Sequence, residues 1–136
     1  MDFLLLYGFQ IMRWLGRLNI ILALIAVSLY GFRRINKYVF TNKNVLLKKM
    51  IMFLSKIHPY IGIALVISAL IHGELALVAI FRVHTGPIAW FIVFLMMLVA
   101  LFGKKYKIKN WLQLHRSLAI LVVIAILVHI FARNIL

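Results

Sequence analysis

Four apolar stretches, at about 14–32, 57–81, 87–102 and 111–132, divide this chain, and most of its charge is gathered into two of the gaps between them. A helix needs about 20 mainly apolar residues to cross a bilayer core about 30 Å thick. Each stretch has a length of that order, and the third is short but adequate. The chain is 66% hydrophobic over 136 residues, against about 45–50% for a soluble domain. The expected fold is therefore an all-α integral membrane protein, a four-helix transmembrane bundle forming one domain over 1–136. Within that length no room is left for a soluble flavin or nucleotide module. Pro87 suits the first turn of the third helix, where a missing N–H costs nothing, and His84-Thr85-Gly86-Pro87 reads as a tight turn before it.

Lipid-facing segments are sensitive to charge, so the cations report topology. Residues 33–56 hold Arg33, Arg34, Lys37, Lys43, Lys48, Lys49 and Lys56, and residues 103–110 hold Lys104, Lys105, Lys107 and Lys109. By the positive-inside rule both connections are expected in the cytoplasm, with both termini outside a plasma membrane. Within the first connection, 45–54 is apolar with interspersed lysines and reads as a helix lying on the inner membrane surface. The apolar 3–12 stretch either prolongs the first crossing into a long tilted helix or lies in the interface, and Arg13 and Arg17 favour an interfacial break. A cation at the bilayer centre costs about 2.5–3.5 kcal/mol even on a lenient scale. No basic cluster precedes 3–9, so the first helix is expected to be retained rather than cleaved as a signal peptide. The net charge of +14 does not point to nucleic acid, because the basic stretches lack a folded soluble platform. The expected surroundings are a lipid bilayer. With no cysteine in the chain, disulfides, iron–sulfur clusters and thioether-linked haem are excluded.

The histidines carry the chemistry. His58 and His72 lie fourteen residues apart in the second segment, and His115 and His129 lie fourteen apart in the fourth. Fourteen helical steps return to within about 40° of the starting direction and advance about 21 Å. Each segment thus presents two imidazoles on one face, near opposite sides of the membrane. With one crossing between them these segments run parallel, so His58 shares a depth with His115 and His72 with His129. Polar side chains in lipid need partners, and histidines ~21 Å apart cannot share one ion. A zinc site would want three or four ligands in one tetrahedron. Two stacked bis-imidazole sites suit two b haems, each with both axial positions filled and hence suited to electron transfer.

One turn inward from each histidine stands a small residue, Gly62, Ser68, Ala119 or Ala125, which would leave space for a porphyrin. Small residues also simply let membrane helices approach. Leu65 and Val122 fall midway and are expected to form an apolar layer between the sites. Lys56, Arg116, Lys104 and Lys105 on one side, and Arg82, Arg133, Arg13 and Arg17 on the other, are candidates for haem propionates or for plain snorkelling. Glu74 is the only acid inside the apolar segments. About 200° around the helix from His72, it either accepts a quinol proton together with His84 or pairs with Arg82, Arg13 or Arg17. His84 also reads as a solvated turn residue. Met96 and Met97 carry no cofactor signal.

On the two fourteen-residue histidine spacings with one helix between them, 57–132 resembles two families. One is the ferric reductase-like transmembrane domain of ferric reductases, NADPH oxidases and the haem membrane subunit of the periplasmic methionine sulfoxide reductase system. The other is the four-helix haem core of cytochrome b. Both resemblances imply two b haems on His58, His72, His115 and His129. The chain departs from both. Ferric reductase-like domains have about six helices, often with a flavin and nicotinamide domain. Cytochrome b has further helices and a Pro-Glu-Trp-Tyr motif absent here, and Gly16 and Gly31 are the only glycines that read as matching its paired ones. Its small size makes the chain look like a minimal ferric reductase-like cytochrome that works with partners.

Three functions follow as expectations. The first is an electron-conducting cytochrome subunit served by a redox partner subunit, a flavoprotein or a quinone. The second is a self-sufficient quinol dehydrogenase or ferric or other metal reductase. The third is a haem-free membrane anchor or assembly subunit.

Overall fold

The computed structural model describes residues 3–79 and 85–132, with side chains over 7–76 and 85–131. It is all-helical there: α1 (Phe3–Tyr38), α2 (Val45–Ala79), α3 (Gly86–Lys105) and α4 (Trp111–Ala132). All four are long and apolar enough to cross a membrane, and the chain is a multi-pass membrane protein.

Two sequence expectations are corrected. The break at Arg13 and Arg17 is not there: α1 runs unbroken for 36 residues, about 54 Å at 1.5 Å per residue. Unbroken helix keeps backbone groups paired within the segment, which lipid demands. Both arginines are exposed and their guanidiniums lie over the rings of Phe9 and Trp14 at 5.8 and 4.9 Å, so they leave the helix without breaking it. Residues 45–54 likewise form no separate surface helix. They are the first turns of α2, which is 35 residues long and passes through Pro59. The long connection expected over 33–56 shrinks to 39–44. Thr41 and Asn42 adopt positive φ there (47° and 61°). Asn44 Oδ1 accepts from Leu47 N at 2.9 Å, capping the first turn of α2.

The α3–α4 turn is tighter still. Gly103 is buried, and a Cβ at that position would run into Cβ and Cγ of Trp111. Lys107 and Asn110 take positive φ (51° and 64°). Pro87 lies in the first turn of α3.

Helix α1 packs along α2 and α3 along α4, and these hairpins meet chiefly through α2 and α3. Trp90 Nε1 ties them by donating to Val66 O at 3.1 Å. The core is a small cluster of Leu65, Val66, Val93 and Val122, with Leu22, Ala23 and Trp90 against it. Leu65 and Val122, the expected middle layer, are only 4% and 5% exposed. Most other large apolar side chains face outward, Leu24 at 66% and Ile120 at 65%, as lipid contact requires.

Candidate functional site

The bundle places the four histidines in two pairs, matched as the parallel run of α2 and α4 requires. His58 and His115 have ring centroids 6.1 Å apart, and His72 and His129 have them 6.5 Å apart. Each pair joins α2 to α4, two helices whose backbones do not pack closely along their length. Leu65 and Val122 fill the space between the layers.

These separations can be tested against a metal between the rings. A metal–imidazole bond is about 2.0–2.1 Å and a ring centroid lies about 1.2 Å behind its nitrogen, so two trans imidazoles place their centroids about 6.4 Å apart. Both pairs fit that span. Among the described residues no three His, Cys, Asp or Glu side chains converge on one point, so each site offers two protein ligands. A porphyrin supplies four nitrogens of its own and leaves two axial positions for imidazoles.

The rings are held through Nδ1. His72 Nδ1–H donates to Met12 O of α1 at 2.9 Å, and His115 Nδ1–H donates to Met96 O of α3 at 3.2 Å. A carbonyl only accepts, so Nδ1 carries a proton, and in the neutral ring the lone pair is left on Nε2, the pattern that orients a ligating histidine. His129 Nδ1 shares a hydrogen bond with Thr85 Oγ1 at 2.9 Å. Thus α1 braces a ring of α2, while α3 and the residue that precedes it brace both rings of α4. His58 differs, because its Nδ1 is buried without a partner.

Close backbone approach also sets the rings of the His72–His129 pair. A Cβ on Gly16 would lie 3.2 Å from Cε1 of His72, and one on Gly86 would lie 3.3 Å from Cε1 of His129. At Gly31 and Gly62 a Cβ would meet nothing within 4 Å. Trp111, pressed against Gly103, has its ring centroid 6.5 Å from that of His115.

The remaining candidates scatter. Ala119 and Ala125 are half-buried on α4. Ser68 is buried, and its hydroxyl donates to Asn19 Oδ1 on α1. Lys56, Lys104 and Lys105 are exposed at the basic end. Arg116 is exposed and lies over the Tyr30 ring at 6.0 Å. Glu74 is exposed on α2. Arg82, His84 and Arg133 lie outside the described residues.

Met12, Asn19, Thr85, Gly86 and Trp111 are contributors that sequence reasoning missed. Main-chain acceptors such as Met12 O and Met96 O leave no trace in residue type. Thr85 and Gly86 had a signal, lying just before a helix start, but they read there only as turn residues. No protein-family model matches the chain, nor does any curated protein or solved structure.

Proposed function

We propose that this chain carries electrons across a membrane through two b haems, one held by His58 and His115 and the other by His72 and His129. The observation that carries the reading is the pair of His–His separations, 6.1 and 6.5 Å, both wide enough for a metal to be held between two imidazoles. A haem held by each histidine pair would supply one-electron transfer between its ferric and ferrous states.

Around that chemistry the chain's own groups have distinct tasks. The carbonyls of Met12 and Met96 hold protons on the Nδ1 atoms of His72 and His115, which keeps Nε2 available as ligand. Thr85 orients His129. Leu65, Val66, Val93 and Val122 keep the middle of the bundle apolar and dry. In this reading the basic connections face the cytoplasm, so the His58–His115 pair lies on the inner side. The chain then works as the membrane cytochrome of a larger redox system, a minimal ferric reductase-like cytochrome, with a flavoprotein or quinol as donor.

Pyridine haemochrome analysis of purified protein, with protein quantified independently, tests the proposal. Two b haems per chain are expected, with His58→Ala and His72→Ala each losing a different one. One haem or none in the unmodified protein, or loss of the same spectral component in both variants, overturns it.

A further inference from the structure

We infer that the basic end of the bundle contains a binding site for the phosphate of an anionic phospholipid headgroup. This does not rest on the haem reading. A cleft of about 340 Å³ is lined there by Tyr30, Arg33, Arg34, Lys37, Tyr38 and Arg116. Five of these residues come from the last turns of α1, and Arg116 reaches in from α4.

The cations are arranged rather than scattered. Arg34 donates from Nε to the Tyr30 hydroxyl and from Nη1 to the Tyr38 hydroxyl, both at 3.0 Å. Tyrosines four residues before and after the arginine thereby hold its planar fork. Two of its five N–H donors are used, and three remain for a ligand. Each tyrosine accepts from Arg34, so its own O–H can donate elsewhere. Arg33 is anchored by donating to Ser55 Oγ of α2 at 2.9 Å. Arg116 lies over Tyr30 and Lys37 over Tyr38.

Among the described residues no carboxylate lines this cleft. The only acids are Asp2 and Glu74. Of these, Glu74 is the one among the described residues, and it follows His72 on α2, toward the opposite end of the bundle from the cleft. Four cations with shared donors and no carboxylate suit an oxyanion, and arginine forks match phosphate geometry.

A free phosphate ion has the same chemistry, but the surroundings favour a lipid. Val27, one turn before Tyr30 on α1 and toward the membrane interior, is 43% exposed and Tyr30 itself 45%, an apolar strip on which an acyl chain can lie below the headgroup. Aromatic residues mark the membrane interface, and basic recesses between transmembrane helices are a recurring site for anionic headgroups.

The test uses the full chain in detergent micelles doped with phosphatidylglycerol, phosphatidylcholine or inorganic phosphate. Retained lipid is counted by native mass spectrometry, and the shift in Tm is measured. Phosphatidylglycerol should be retained and raise Tm, whereas phosphatidylcholine and inorganic phosphate should do neither. Arg34→Gln with Arg116→Gln should cut retention about thirtyfold, on the scale of two cations near a charged headgroup, while Lys104→Gln with Lys105→Gln should not. Equal retention of both lipids, or an equal Tm rise with inorganic phosphate alone, overturns the inference. So does a folded Arg34→Gln, Arg116→Gln protein that keeps phosphatidylglycerol but loses haem, which would give the cleft to propionates. If that variant does not fold, the headgroup comparison on the unmodified protein decides the matter alone.

Discussion

Gly16 on α1 backs directly onto the imidazole of His72 on α2, so close that any side chain there would begin 3.2 Å from Cε1 and 3.6 Å from Nδ1. The ring cannot retreat without giving up its 2.9 Å bond to Met12 O. Gly86 stands in the same relation to His129. Each ring of this pair is therefore pressed into place by the backbone of the helix beside its own. On the proposed haem reading, Gly16→Val should displace His72 and remove one of the two haems while all four histidines remain. Gly31→Ala should leave the His72–His129 site intact, since Gly31 lies about 22 Å along α1 from Gly16. Reduced-minus-oxidised spectra read both results. Full haem content in the Gly16→Val variant would contradict the assignment.

Thr85 is the side chain that bonds His129 Nδ1. Thr85→Val keeps the shape and removes the hydroxyl. Partners of this kind are typically worth about 10–100-fold in affinity for a bound metal group. Haem titration into the variant should show one site weakened by about that factor and the other unchanged. Equal weakening at both sites would mean that Thr85 acts on the fold rather than on His129.

Gly103 lets the α3–α4 turn close on Trp111, whose ring in turn neighbours His115. The contact is with the root of the tryptophan, not a flexible tip, so Gly103→Ala must open the hairpin. Overpacking of this kind costs about 1–3 kcal/mol. We expect a lower Tm and impaired loading of the His58–His115 site, with the other site spared. A variant with unchanged Tm and spectrum would remove Trp111 from any part in positioning His115.

Ser68 separates two interpretations of one residue. Its hydroxyl donates to Asn19 across α1 and α2, and such bonds within a membrane average about 0.6 kcal/mol. Ser68→Ala should therefore lower Tm slightly and leave both haems bound, because the small volume is kept. Loss of the His72–His129 haem would show instead that the hydroxyl itself serves the cofactor.

The number of crossings, the bounds of α4, the place of Pro87 at the start of α3 and the pairing of histidines were all legible in the residues. These follow from local properties: apolar length sets the crossings, and a fourteen-residue interval returns to the same helix face. Leu65 and Val122 could be read as the middle layer for the same reason. What braces each ring emerged only from packing. Acceptors such as Met12 O and Met96 O are main-chain atoms that every residue possesses, so the packing of α1 on α2 and of α3 on α4 is what selects them. Packing also picks out Gly16 and Gly86 as the places where backbones meet the rings of His72 and His129. The breaks expected at Arg13 and before Ile57 failed because cost per charge is a local estimate. A continuous helix keeps every backbone hydrogen bond, and long cationic side chains reach polar surroundings without breaking it.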